Sequence, residues 1–298
     1  MMDSQEYYKL AVTRNIGLVT EEEQTRLKHS RVAVAGCGGL GGRELIDLVR
    51  MGIGRFNLAD FDEFSIKNVN RQIGATSSTA DRPKVEVMTE MAKDIHPSVD
   101  IKMFPNGIQE DNVVDFVSNA DVIVDAIDFF SMPARRLLHK TARKYGKPVV
   151  FAAPLGFSGT MNVFVPNGMS FDEYFDINDD MDLFEQLIAF TVGVAPWGTH
   201  WKYMDTSKVD SSDHSGPSLA CACNIATGLL TSEVLIILLN KRAPMAVPNY
   251  MQFDTMRCLY RKGKLHWGNR GPLQRLKRLL AAKKFADQRE VLLNNKPC

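Results

Sequence analysis

Arg31-Val32-Ala33-Val34-Ala35-Gly36-Cys37-Gly38-Gly39-Leu40-Gly41-Gly42 carries the strongest fold signal in the chain. A short apolar run ends in glycines, and residues 40–51 then carry helical periodicity, so the segment reads as strand, tight turn and helix. The GxGxxG register falls on Gly36, Gly38 and Gly41, with Gly39 in the same turn. Glycines there let the backbone turn sharply and approach a phosphate, whose charge the helix N-terminus stabilises. A second short strand over residues 55–59 ends at Asp60, nineteen residues past Gly41, where an acidic side chain would accept ribose hydroxyls. To this point the sequence says only that a nucleotide binds, and a nicotinamide-dependent oxidoreductase would look the same.

Outward from the turn, strand and helix signals alternate. Residues 84–95 read as a helix, 99–104 as a strand and 109–118 as a helix. Residues 121–126 form a nearly continuous β-branched run, the pattern of a buried parallel strand. A basic helix over 133–145, with Pro133 near its first turn, precedes a strand over 147–153. Repeated βαβ units of this length predict an α/β fold, a Rossmann-like doubly wound, mainly parallel sheet.

The composition suits that fold: 45% hydrophobic and 24% charged residues are the proportions of an ordinary folded protein. The net charge of +1 excludes bulk attraction to nucleic acid or membrane as a property of the whole chain. Its distribution is uneven, because residues 261–298 hold eleven Lys/Arg against two Asp/Glu, leaving an acidic body and a basic tail. Five cysteines, at 37, 221, 223, 258 and 298, form no CxxC pair, which predicts a reduced, cytoplasmic protein without a zinc ribbon. The polar N-terminus is no signal peptide. The longest apolar stretch, residues 234–239, is six residues long, so no spanning segment and no membrane partner are expected.

Past Pro154 the pattern changes. Residues 160–165 read as a strand, but 166–216 have no clean period, and seven carboxylates between Asp172 and Glu185 stand among Phe171, Tyr174, Phe175 and Phe184. That segment is either a solvated acidic loop and helix or a mobile lid over a site. A long apolar helix follows Gly216-Pro217 as far as Leu239, and strands over 249–253 and 258–261 close the body as a hairpin. From Pro272 to Leu292, Leu273, Leu276, Leu279 and Leu280 share one helical face among many cations. Such a tail either docks on the body or a twin subunit, or binds RNA or another acidic partner, with the 172–185 acids as one counter-charge. The reading divides the chain into an N-terminal helical arm (1–30), a nucleotide-binding core (31–165), a crossover or lid segment (166–216), a C-terminal helix with closing strands (217–262) and a basic helical tail (263–298).

Further motifs narrow the nucleotide. Asp60-Phe61-Asp62 is followed by Asn68-Val69-Asn70-Arg71-Gln72, then by Pro83-Lys84 opening a helix, and Asp128 stands just past the 121–126 strand. A dinucleotide's pyrophosphate is held by neutral backbone and has little use for an arginine and a lysine. ATP cleaved between its α- and β-phosphates does need cations and a metal to offset the charge that builds. This ordered set, from GCGGLGG through LADFD, NVNRQ and RPK to a carboxylate after the fourth strand, resembles the ThiF/MoeB/HesA superfamily, the bacterial relatives of ubiquitin-activating E1 enzymes. The resemblance covers residues 7–260 and implies an E1-type extension of the sheet. It implies Asp60 on the ATP ribose, Asn68, Arg71 and Lys84 on the phosphates with Asp62 and Gln72 nearby, and Asp128 on magnesium. It further implies a homodimer in which Arg14 of Thr13-Arg14-Asn15 acts on the neighbouring subunit's ATP.

The chain also departs from that family. It lacks the two zinc-binding CxxC pairs, has no cysteine in residues 166–220, and has Phe129-Phe130 where an asparagine usually follows the carboxylate. Cys221 and Cys223 read as buried small residues, and Cys37 as packing against the sheet. The resemblance therefore implies an adenylyltransferase that uses ATP and Mg2+, without zinc or an enzyme thioester, on the C-terminus of a peptide or ubiquitin-like protein. A tRNA-modifying dehydratase that works by adenylation, and a non-catalytic E1-like scaffold, are the alternatives.

Overall fold

The computed structural model describes residues 3–210 and 212–294; Cys298 lies outside them. In chain order the elements are α1 (Ser4–Ala11), α2 (Glu21–His29), β1 (Arg31–Ala35), α3 (Gly41–Arg50), β2 (Arg55–Ala59), α4 (Lys84–Ile95), β3 (Asp100–Phe104), α5 (Val113–Ser118), β4 (Val122–Asp125) and α6 (Met132–Lys144). There follow β5 (Val149–Leu155), β6 (Ser158–Phe164), α7 (Phe171–Phe175), α8 (Leu183–Val194), α9 (Ala220–Leu239), β7 (Asn249–Asp254), β8 (Leu259–Lys264), α10 (Pro272–Lys284) and α11 (Arg289–Asn294). The helix expected from residue 109 begins only at Val113, because Asn112 Oδ1 accepts from the Gln109 amide and caps a turn there (2.9 Å).

One eight-stranded sheet runs in the order β3-β2-β1-β4-β5-β6-β7-β8. The first five strands are parallel, and β6, β7 and β8 continue the sheet antiparallel. β1 and β4 are neighbours with opposite winding beyond them, so the crevice outside their carboxyl ends is the switch point where such sheets bind ligands. One face buries Val32, Val34 and Phe56 beneath α3, α4 and α9; the other buries Ala33, Ile123 and Phe151 beneath α5, α6 and α8. Both faces are covered, so these strands read as continuous apolar runs and not as alternating ones.

Within residues 166–216 the acidic stretch is built largely into two helices. Ser170 with Glu173, and Asp182 with Glu185, form capping boxes that start α7 and α8. Phe171, Tyr174, Phe175 and Phe184 are buried, and α8 is packed between the sheet and α10. Several of the acids are paired: Asp172 accepts both arms of Arg136 (3.0 and 2.9 Å) and Asp176 accepts Arg278 (2.6 Å).

α9 corrects the sequence estimate of apolar length. With mean hydropathy 1.8 over its best window, it is long and apolar enough to cross a membrane by length and composition alone. Here it packs across β5 and β6 and against α3, and Glu233 inside it is buried and pairs with Arg242 (2.5 Å). Its N-terminal cysteines also divide: Cys223 is buried as expected, while Cys221 is exposed.

The tail reverses the expected face. α10 docks on α8, but through Gln274, Ala281, Lys277 and Arg278, and its four leucines point outward. The rotation follows from hydrogen bonding. Gln274 donates to the Asn269 side chain (3.2 Å) and to the Val192 carbonyl (3.4 Å), and Lys277 to the Pro196 carbonyl at the end of α8 (2.5 Å). Buried carbonyls without partners are costly, so polar side chains take the inner face.

Candidate functional site

The glycine turn is shaped by the end of β4. Gly36 has φ +103°, and its amide donates to the Ala59 carbonyl (2.7 Å). A Cβ at Gly36 would overlap the Ala126 carbonyl, and one at Gly41 would overlap the Gly36 carbonyl and lie 2.9 Å from the Ala126 methyl. The outer glycines are open toward a rim of side chains. A Cβ at Gly38 would meet only Gln72 Nε2 (3.9 Å), and one at Gly39 would meet Cys223 Sγ (3.2 Å) and Arg71 Cγ (3.6 Å). The turn thus leaves the N-terminus of α3 facing the switch-point crevice with room at its outer edge, the shape that accepts a phosphate.

Asp60, half-buried at the end of β2, accepts the Cys37 amide on Oδ2 (2.5 Å) and the Asp62 amide on Oδ1 (2.8 Å). Burial pushes its carboxyl up, against the pull of the Lys84 ammonium and these two amides. Lys84 is buried in the first turn of α4; its Nζ donates to Asp62 Oδ2 (2.9 Å) and its amide to the Asp62 carbonyl (2.9 Å). A buried ammonium paired with a partly exposed carboxylate can swing from it to an incoming anion.

Arg71 and Gln72 leave the turn that Asn68 begins, their amides donating to the Asn68 carbonyl (3.1 and 2.9 Å). Asn68 Oδ1 caps that turn on the Ser65 amide (2.9 Å). Arg71 Nη1 rests on the Lys67 carbonyl and Asn70 Oδ1. Gln72 is buried, yet its Oε1 has no partner. Arg43 Nε and both carboxylate oxygens of Glu44, in the first turn of α3, are likewise buried without partners. Burial raises the Glu44 carboxyl well above the carboxylate range, with Asp125 and Asp47 adding to it. Orphaned polar atoms gathered beneath one glycine turn fit a site built to be completed by a polar ligand.

Asp128 is exposed three residues past β4, on the opposite wall from Asp60. Its Oδ1 accepts the Phe130 amide (2.9 Å). Beneath it lies a network that the sequence reading missed. Asp125, fully buried, accepts Arg135 Nε (2.9 Å) and His139 Nε2 (2.9 Å) on Oδ2 and the Ile127 amide on Oδ1 (3.1 Å). Arg135 in turn donates to the carbonyls of Ile127 and of Asp128 (3.1 Å to the latter). The available signal was an acid closing an apolar run, with Arg135 and His139 four apart on the following helix.

Contacts bring Arg71 and Gln72 against Gly39 and Gly38, and Asp60 to the turn with Asp62 and Lys84 behind it. Asn68 joins through its backbone carbonyl, and Asp128 stands two residues past Ala126, which abuts Gly36 and Gly41. The crevice does not gather Arg14. That residue is exposed between Val12, which touches Gly52, and Asn15, which donates to the Met51 carbonyl (3.2 Å). Met51 and Gly52 follow the C-terminus of α3, so the length of that helix, about 15 Å, separates Arg14 from the glycine turn of its own chain. Among the described residues no group of three or more His, Cys, Asp or Glu converges as a metal centre.

Solved structures share the fold. PaaA superposes with a TM-score of 0.64 at 18% identity over 89% of this chain and 74% of that one. The E. coli MccB structure with ATP does so at 0.61 and 18%, over 84% of this chain and 66% of that one. Among curated relatives, a sulfur carrier protein adenylyltransferase of Thermus thermophilus is 33% identical over 53% of this chain and 56% of its own. The tRNA threonylcarbamoyladenosine dehydratase of Haemophilus influenzae is 36% identical over 37% of this chain and 43% of its own. The matched region spans about half the length of these relatives. The ThiF family model matches residues 12–268. With that model covering most of its length and the crevice built as described, the chain belongs to the ThiF family.

Proposed function

We propose that the protein is an ATP-dependent adenylyltransferase that activates a carboxylate, the C-terminus of a peptide or a ubiquitin-like protein, as an acyl-adenylate. A carboxylate oxygen attacks the α-phosphorus, the bond to the bridging oxygen of the β-phosphate breaks, and pyrophosphate leaves. The observation that carries the reading is two cations beside one glycine turn, Arg71 against Gly39 and Lys84 paired with Asp62 next to Asp60. Gly36 and Gly41 keep the backbone low enough for phosphate to reach the α3 N-terminus. Asp60 holds the ribose, with Asp62 releasing Lys84 to the phosphates and Asn68 and Gln72 alongside it. Asp128 offers a carboxylate for Mg2+, which needs only one or two protein carboxylates when phosphates complete its shell. Held there, the ion would supply charge neutralisation for pyrophosphate departure.

The protein works as a homodimer in this reading, because Arg14 is too far from its own crevice and instead serves the neighbouring subunit's ATP. Exposed Leu10, Ile16 and Leu18 beside it supply apolar surface for such a contact. The likeness to adenylyltransferases acting on sulfur carrier proteins supports the substrate class.

The test is ATP–pyrophosphate exchange driven by a panel of peptide and ubiquitin-like C-termini, with Asp128→Ala as the control. Exchange that needs both the carboxylate and Asp128 is expected. Tight nicotinamide dinucleotide binding with no measurable ATP binding would remove the reading.

A further inference from the structure

The outward face of α10 carries Leu273, Leu276, Leu279 and Leu280, which are 63, 52, 70 and 60% exposed. At 100° per residue they span an arc of about 120°, centred opposite the Gln274–Ala281 side that docks on α8. Four contiguous leucines left in water on a well-anchored helix mark an interface. Residues 273, 276 and 280 repeat at spacings of three and four, which is the seam into which another helix packs its own side chains. The rim is cationic: Arg275 borders the stripe on one side and Lys284, over Trp201 (5.2 Å), on the other, while Lys283 closes its C-terminal end. Other tail cations are already spent on the body, Arg278 on Asp176 and Arg289 on Asp182.

We propose that this face docks an acidic amphipathic helix of a partner protein. The charge on the rim selects the occupant. In a symmetric contact with a second copy, the stripe would set Arg275 and Lys283 against their own like charges, which is destabilising. RNA finds phosphate partners on such a rim but leaves the leucines at its centre in water. A helix with leucines or isoleucines at matching spacing and glutamates or aspartates on its flanks satisfies both parts. The proposal stands apart from the adenylation reading, since no residue of the crevice lies on this face.

The full chain is titrated into a fluorescein-labelled synthetic helix with leucines at three-four spacing and glutamate flanks, and separately into its lysine-flanked twin. Anisotropy should report binding to the acidic helix, weakened by salt, and little to the basic one. Leu276→Glu with Leu280→Glu should weaken that binding about tenfold or more. The same variant should leave the thermal midpoint nearly unchanged, because these side chains are exposed in the free chain. Arg275→Glu with Lys283→Glu should invert the preference toward the basic helix. The proposal is overturned if neither helix binds or both bind alike. It is overturned equally if the leucine variant instead abolishes concentration-dependent self-association, or binding to an RNA oligonucleotide or to anionic phospholipid vesicles.

Discussion

Replacing Arg135 with leucine tests whether the segment that carries Asp128 is held from below. Asp125 is 0% and Arg135 1% exposed, so the substitution leaves a carboxylate in the interior with His139 and one amide as its remaining partners. Removing one member of a buried pair costs about 3–5 kcal/mol, a fall in thermal midpoint of roughly 10 °C for a chain of this size. The sign with pH follows from the carboxyl. Burial pushes Asp125 up, but Arg135 and then His139 outweigh that and hold it below the usual range. Wild-type stability from this group is therefore present above the unfolded carboxylate pKa of about 4 and lost as pH falls through the lower folded value. Without Arg135 burial prevails, the folded carboxyl rises above its unfolded value, and the variant's deficit should widen from pH 4 to pH 7. Urea denaturation at the two pH values measures this, and Asp125→Asn with Arg135→Leu should recover at least about 1 kcal/mol relative to additivity. A deficit below about 1 kcal/mol, or one equal at both pH values, would refute the account of the network.

Glu44→Gln should gain stability relative to wild type as pH rises above the unfolded carboxylate value, because the raised Glu44 carboxyl makes the folded state hold a proton that the unfolded chain releases; denaturation across pH 5–8 gives the slope. Gly41→Ala should cost about 1–3 kcal/mol, since its Cβ meets the Gly36 carbonyl, and ATP should no longer raise the thermal midpoint. Asp60→Asn should weaken ATP binding about tenfold or more in calorimetry, through loss of a charge-assisted acceptor at the ribose. Mixing an Arg14→Ala chain with a Lys84→Met chain should restore part of the exchange activity that each lacks alone, and no restoration would place Arg14 outside the neighbour's site.

Much of the crevice was legible because its requirements are local. Glycine is needed where φ is positive or a Cβ would strike the backbone, so Gly36 and Gly41 announce the turn, with Gly38 completing the spacing where a Cβ would meet nothing closer than Gln72 Nε2. Asp60 and Lys84 stand at a strand end and a helix start, positions that periodicity locates within a residue or two. The Asp125–Arg135–His139 network was not singled out, because its strength comes from burial and from partners on another element. Residues 166–216 lost their period for a related reason. α8 is apolar on nearly every side, since it is covered by the sheet below and α10 above, and a helix buried all round has no polar stripe to count.

The parallel doubly wound sheet, the glycine turn at its switch point and the order of the charged residues around it were all legible from the residues alone. Those features rest on backbone sterics and on the periods of strand and helix, which act between near neighbours. Long-range packing alone set which acids of 172–185 meet which arginines, that the Arg14 segment packs beyond the C-terminus of α3, and which way α10 faces. Hydrophobicity alone turns the four leucines inward. Carbonyls at the end of α8 that needed donors turned them outward, and that competition exists only once distant segments share one interior.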